Sequence, residues 1–419
     1  MNYTLKHMDQ NLAVFSIKTK SVDQCVILKK MEPFLPLPLK RIIKDGYKEE
    51  FVEKETEEYF ILNEDGCYLF DNWLSDRQVP INRFNYELYI SANSSPREWL
   101  LNNNGYSFND CYWFEKEGED LYWENIKDRL NSLDVFYMVQ DDNHKYKGQN
   151  ATLGGQLEKF WFKENNKVML CKKHPVNLDI LAAREVFASL IYEKQGFENY
   201  CPYKFTYRKN NSVAGVVCEC FTNEQTELVT AYDLLEEYNM TQYLKIREKI
   251  VELAQNYGMS PLQTQRQLDI ETLVDFLITN RDRHENNIAF LRNVNSLQII
   301  GMAPIFDNGS SQYMEGQLPE GLLNTTVNSL YPTELECLEK VTDFMVLDIE
   351  KLPTIDEFNS ILLKCNNITE NRKNNLLSIY QNKVDLIKEL QKEYQKGTNV
   401  SEYLQKKKDE KTNEILFNE

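Results

Sequence analysis

Apolar and polar positions alternate in short runs over the first third of the chain. LAVFSIK (12–18), CVILKKM (25–31) and EYFILN (58–63) are separated by Pro, Asn and Gly clusters, which predicts a mixed α/β unit over residues 1–145. WLSDRQVPINR (73–83) reads as a helix end followed by a turn. The polar stretch VQDDNHKYKGQN (139–150) offers little to bury and is the expected linker. Beyond it, EKFWF (158–162) and VMLCKK (168–173) flank the turn-forming KENNK and predict a β-hairpin entered through a Gly-containing turn. ILAAREVFASLIYEKQ (180–195) has helical spacing with Gly196 as its stop, and VAGVVCECF (213–221) is a buried strand. Helices are expected from Ala231 to Asn256 and from Ile270 to Thr279, and a long amphipathic one over NLLSIYQNKVDLIKELQKEY (375–394). The pattern divides the chain into residues 1–145, a β-rich piece over 146–225, an α-rich piece over 226–395 and a charged tail over 396–419 that frays.

Composition narrows the class. With 419 residues, 42% hydrophobic and 27% charged, and with 24 Tyr and 21 Phe, the chain can bury several cores and is expected to be ordered. A net charge of -17 argues against a protein that coats duplex nucleic acid, because such binding needs Lys and Arg against phosphates. Nine Cys without a C-x-x-C pair suit free thiols in a reducing compartment. The first residues lack a signal-peptide-like apolar run and no stretch of about 18 apolar residues occurs, so a cytoplasmic protein without membrane spans is expected. Trp73, Trp113, Trp123 and Trp161 read as core, and Cys218 and Cys220 as strand filling without a metal.

The chemistry concentrates in two segments. TNRDRHENNIAF (279–290) sets Asp282 five positions before Asn287, and APIFDNGSS (303–311) ends an apolar run in Asp307. Phosphoryl transfer needs a carboxylate to orient or deprotonate an attacking hydroxyl and hard oxygens to hold Mg²⁺, and Asp282, Asn287 and Asp307 supply that set. Upstream stand a candidate phosphate turn, LGGQLEK (153–159) with Gly154 and Gly155, and a strand lysine with a helix glutamate, Glu185. Strand alternation sends Lys172 and Lys173 to opposite faces; Lys172 is preferred, with Lys173 as the alternative. VCECF would then present the backbone of Glu219, Cys220 and Phe221 to an adenine ring.

These residues, in this order, resemble the HipA-like serine/threonine kinases, CtkA-type proteins included. The match runs through Gly154, Gly155, Lys159, Lys172, Glu185, Asp282, His284, Asn287 and Asp307, over roughly residues 150–390, with Leu157 where the family usually has glutamine. The resemblance implies an α+β, two-lobed protein-kinase-like fold behind an additional N-terminal domain, with ATP and Mg as cofactors. It assigns His284 to the nucleotide site and transfer to a Ser or Thr hydroxyl of a protein. In the family a serine just ahead of the glycine turn is autophosphorylated, and Thr152 stands there. A small DNA-binding antitoxin is the partner the resemblance suggests, with the chain as toxin. Other readings stay open: a kinase for a small molecule or lipid, a non-catalytic ATP-binding scaffold, and, more distantly, a metal-dependent hydrolase using Asp282, His284 and Asp307.

Overall fold

A computed structural model describes residues 1–53, 57–90, 94–133, 145–237, 245–309, 325–327 and 329–416. The first third forms a six-stranded antiparallel sheet in the order β4-β5-β3-β2-β1-β6. Its strands are β1 (Asn2–His7), β2 (Gln10–Lys18), β3 (Ser21–Leu28), β4 (Lys48–Glu53), β5 (Glu57–Leu62) and β6 (Tyr112–Lys116). Helices α1 (Leu37–Lys44), α2 (Glu64–Asp76), α3 (Pro96–Asn102) and α4 (Trp123–Asn131) complete this unit. Alternation turns Ala13 and Phe15 into the core with Phe60, Phe70 and Phe114 and Val14 outward, and a register shift opposite Leu5 and Lys6 buries Leu12 as well.

A second, four-stranded antiparallel sheet follows, in the order β7-β8-β10-β9. β7 (Glu158–Glu164) and β8 (Lys167–Lys173) form the expected hairpin. Asn165 and Asn166 both adopt positive φ, the requirement of a two-residue turn that matches strand twist. Helix α5 (Asp179–Gln195) packs on β9 (Lys204–Tyr207) and β10 (Val213–Glu219) and stops at Gly196. It is buried on nearly every side because the large lobe covers its other face.

The large lobe holds a three-stranded sheet of β11 (Thr226–Thr230), β12 (Ala289–Asn293) and β13 (Ile299–Met302) and the helices α6 (Ala231–Glu237), α7 (Ile246–Asn256) and α8 (Pro261–Ile278). It continues through α9 (Glu334–Glu339), α10 (Ile355–Leu362), α11 (Glu370–Gln395) and α12 (Val400–Leu416). The architecture is α+β and two-lobed, with a β-rich small lobe, a mainly helical large lobe and the leading mixed unit. Among the described residues no helix is long and apolar enough to cross a membrane, and all nine cysteines are free.

Several elements depart from the expected pattern. Helix α8 begins at Pro261 rather than Ile270, capped by Ser260; Gln267 on its buried side donates to the Ala303 carbonyl at 3.0 Å, so polar residues hide the apolar rhythm there. The span expected to be mostly helical from Ala231 to Asn256 contains α6 and α7, with 238–244 outside the described residues. The apolar run before Asp307 is not a full strand, since Ile305 alone bridges Tyr200. Residues 139–144 of the expected linker lie outside the described residues, but Tyr146, Gln149 and Asn150 are buried, Tyr146 stacking on Phe160 with rings 5.2 Å apart.

The tail also departs from expectation. Residues 400–416 form α12 instead of fraying, and Leu404 is fully buried in the main core beside α9 and α11. Leu404→Ala is therefore expected to cost about 2–5 kcal/mol in a denaturant titration. An unchanged unfolding midpoint would show that α12 contributes nothing to the lobe.

Candidate active site

Strand register decides between the two lysines. Lys172, buried on β8, extends its Nζ to Glu185 Oε1 at 2.9 Å and to Asp307 Oδ1 at 3.0 Å, and lies over the Tyr203 ring at 4.8 Å. Lys173 turns to the opposite face and pairs with Glu158 at 2.7 Å. Burial alone would pull the Lys172 ammonium down, but Asp307, Glu185 and Tyr203 outweigh it and hold it well above the usual lysine range.

Glu185 uses both oxygens. Oε1 meets Lys172, and Oε2 accepts the backbone N–H of Asn308 at 2.8 Å, which ties α5 to the segment carrying Asp307. Gly309 is required at the next position: a Cβ there would lie 2.7 Å from Glu185 Cγ and 2.9 Å from the Leu181 carbonyl oxygen. Asp307 itself adopts φ +57°, a conformation uncommon for aspartate. Burial would raise its carboxyl, but Lys172, Lys159 and Arg283 reverse this and hold it well below the usual carboxylate range.

The loop with Asp282 and Asn287 starts where α8 ends. Lys383, fully buried on α11, donates to the Phe276 carbonyl at 2.7 Å and to Thr279 Oγ1 at 2.9 Å, satisfying the helix end. Asn287 Nδ2 donates to the Asp282 carbonyl at 2.7 Å, which leaves the Asn287 amide oxygen as its hard donor. Asp282 keeps about a third of its side chain exposed, at 34%. His284 Nδ1 accepts the Asn286 N–H at 3.2 Å, so a neutral ring carries its proton on Nε2, 3.9 Å from Asp282 Oδ1. His284 thus sits within the loop beside Asp282 and Asn287.

The upstream candidates occupy the small lobe. Lys159 approaches the turn so closely that a Cβ on Gly155, at φ +84°, would lie 2.8 Å from its Nζ. Burial and the cations Lys172 and Arg83 push Lys159 down to about 8, against the pull of Asp307. Along β10 the even-numbered residues bond to β8: His174 N–H meets the Ala214 carbonyl at 2.8 Å and Cys220 N–H the Val168 carbonyl at 2.9 Å. Antiparallel alternation therefore turns the backbone groups of Glu219, and by continuation past β10 those of Phe221, away from β8, while the Cys220 N–H is bonded to it. The Glu219 side chain pairs at the surface with Lys167 at 2.6 Å, and the Phe221 ring packs near Phe306. Thr152 Oγ1 donates to the Tyr106 carbonyl at 3.2 Å. The segment after Asp307, SSQYMEGQLPEGLLNTTVNSLYP (310–332), reads from its sequence as part of an acceptor site; its residues 310–324 and 328 lie outside the described residues.

Among the described residues no cluster of three or more His, Cys, Asp or Glu could hold a metal by itself. An Asp with an Asn suits Mg²⁺ better, since that ion keeps waters and takes phosphate oxygens alongside one or two protein ligands.

No family model matches the sequence, and no curated protein matches it. Among solved structures, the Helicobacter pylori proinflammatory kinase CtkA is 21% identical, with a TM-score of 0.39, covering 55% of this chain and 92% of that one. HipA of Shewanella oneidensis MR-1, determined with HipB and operator DNA, is 12% identical, with a TM-score of 0.48, covering 93% of this chain and 99% of that one. The likeness is one of fold. At such identities and scores neither structure assigns a residue or an activity to this chain.

One site residue was not legible as such. Arg283, between Asp282 and His284, looks like part of a solvated charge cluster, yet it is 3% exposed and holds the loops together. Its fork reaches Asp275 at 2.8 and 3.0 Å, the carbonyls of Asn287 at 3.0 Å and Phe306 at 2.6 Å, and Asn308 Oδ1 at 2.7 Å. Glu271 touches the same guanidinium at 3.3 Å, beside a cavity of ≈ 30 Å³ bordered by Arg247 and Tyr331, room for about two waters. Asp275 takes the two-pronged contact and Glu271 the single, longer one. Burial pushes the Glu271 carboxyl up to about 7, with Arg283 opposing and Asp275 adding.

A raised carboxyl binds a proton in the folded state that the unfolded chain has already lost. The stability Glu271 contributes should therefore fall as pH rises from about 4.3, the unfolded value, to about 7, and stay level outside that window. Glu271→Gln should flatten that part of the stability profile in denaturant titrations at pH 5, 6 and 7. Equal slopes for variant and parent would place the proton elsewhere.

Proposed function

We propose that the chain is an ATP- and Mg²⁺-dependent kinase that transfers a γ-phosphate to a Ser or Thr hydroxyl of a protein. The observation that carries this reading is the meeting of Lys172 with Glu185 and Asp307, drawn from β8, α5 and the large lobe. The loop of Asp282 and Asn287 is bound to the same segment through Arg283. In this reading residues 146–225 are the small lobe and 226–395 the large one.

Each side chain has one task. Lys172, kept charged by its carboxylate partners, is the cation for nucleotide phosphates, and Glu185 orients it. Asp307 and the amide oxygen of Asn287 are the metal donors. Asp282, exposed enough to be reached from solvent, accepts the proton of the attacking hydroxyl. His284 Nε2 faces that carboxylate and steadies it. The outward backbone of Glu219 and Phe221 suits an adenine edge, and Gly154 and Gly155 the phosphates. When bound, Mg-ATP supplies the phosphoryl group and the charge that balances it; all else falls to the protein. Autophosphorylation at Thr152 first requires release of its bond to the Tyr106 carbonyl. A small DNA-binding protein as partner belongs to the same proposal.

The test is transfer from γ-labelled ATP with Mg²⁺ to the protein itself, to a protein panel and to a metabolite panel, with modified residues mapped by mass spectrometry. Asp282→Ala should lower transfer by about 10²–10⁴-fold with nucleotide binding retained, and Asp307→Asn should abolish it. Labelled proteins carrying phosphoserine or phosphothreonine support the reading, and labelled metabolites alone would replace the acceptor. ATP binding without transfer to any of these would make the chain a nucleotide-binding scaffold.

A further inference from the structure

The glycine turn is held from behind by the N-terminal unit. Arg83, just after α2 and 3% exposed, donates through Nη2 to the carbonyls of Leu153, Gly154 at 2.7 Å and Gly155 at 2.9 Å, and through Nε to Gly155 at 3.1 Å. One guanidinium thus gathers three successive peptide oxygens. No cis peptide bond occurs among the described residues, and in a planar trans peptide the C=O of one residue and the N–H of the next point in opposite directions. The N–H groups of Gly154, Gly155 and Gln156 therefore face away from Arg83. None of them has a hydrogen-bond partner among the described residues. Successive N–H groups on one side of a turn that includes a positive-φ glycine form a concavity suited to anions.

The charge of Arg83 points the same way. No carboxylate lies within ion-pair distance of it among the described residues, although a buried guanidinium ordinarily has one. Glu158, the nearest acid to influence it, is bound instead to Lys173, Asn85 and Tyr146. Nη1 is buried without a partner, and the Tyr89 ring supports the guanidinium at 5.0 Å. Tyr89 also fixes the start of β7, its hydroxyl donating to the Lys159 carbonyl and accepting the Lys159 N–H at 2.8 Å.

We propose that Arg83 is a positioning residue for nucleotide phosphates. By holding the carbonyls of 153–155 it presents the N–H groups of 154–156 to the phosphate chain and places a buried positive charge behind them. This rests on the nucleotide-binding part of the kinase reading and adds that the N-terminal unit is a working part of the site.

The test compares affinities for ATP and adenosine in the full chain, together with the thermal midpoint of each nucleotide-free variant. Arg83→Ala should cut the ATP-to-adenosine affinity ratio by about tenfold or more, as expected for losing one or two charge-assisted hydrogen bonds, while adenosine affinity stays within about twofold. Arg83→Lys, which keeps the charge but not the fork, should recover part of the ratio. In the parent protein, ATP but not adenosine should slow amide exchange at Gly154, Gly155 and Gln156; this readout stands even where Arg83→Ala fails to fold. An unchanged ratio in a folded variant, or equal protection by adenosine, overturns the proposal and leaves the kinase reading intact. ATP binding without transfer overturns only the transfer step. Failure of the parent to bind either ligand overturns both.

Discussion

Arg283 is the constraint on which the site depends. Its guanidinium has five N–H donors, and they are spent on Asp275 of α8, on the carbonyls of Asn287 and Phe306, and on the Asn308 side chain. Two irregular segments, each with backbone groups that a buried loop cannot leave unpaired, thereby share one centre. The guanidinium is planar and rigid, so its bonds fix the mutual orientation of the segments as well as their distance. Removing it would leave Asp275 buried without its partner, a loss on the order of 3–5 kcal/mol for a broken buried pair.

The second joint is electrostatic. Lys172 answers two carboxylates, and Glu185 spends its other oxygen on the peptide of Asn308, so α5, β8 and the Asp307 segment are held by a chain in which each link needs the next. Two carboxylates, Glu185 and Asp307, thus meet at the one ammonium of Lys172. Burial pushes Lys159 down to about 8 against the pull of Asp307, with Lys172 and Arg83 adding to the effect.

Features governed by short-range rules were legible in the sequence. Strand alternation separated Lys172 from Lys173, the Asn pair closed the hairpin, Gly196 stopped α5, and Asp282, Asn287 and Asp307 stand on two segments that Arg283 bonds together. Features that stayed hidden depend on partners far along the chain. Arg283 looks solvated until Asp275 and Phe306 surround it, and Lys383 looks like one more surface lysine of an amphipathic helix until it caps α8. The tail looks frayed because its lysine-rich composition masks Leu404, and the start of α8 is obscured by buried Gln267. For Arg283, Lys383 and Gln267 a polar residue is buried by a bond that local periodicity cannot register.

The leading unit belongs to this long-range class, and its contacts fall on both sides of the strand that joins the lobes. Toward the small lobe it offers Arg83 and Tyr89, whose ring meets Tyr146 at 4.5 Å and through it Phe160 of β7. Toward the large lobe, Arg292 bonds Tyr112 at 3.1 Å while paired with Glu227, Leu228 N–H meets the Asn109 carbonyl at 2.7 Å, and Leu37 enters the core with Val229 and Phe290. Just past the joining strand, Thr222 Oγ1 donates to the Phe108 carbonyl at 2.7 Å. A rotation of one lobe against the other about residues 219–222 must therefore strain one of these contacts. The small-lobe contact includes the bonds that shape the glycine turn, so strain there reaches that turn. In the proposed nucleotide site, residues of the N-terminal unit thus alter how phosphates are held without touching the adenine edge.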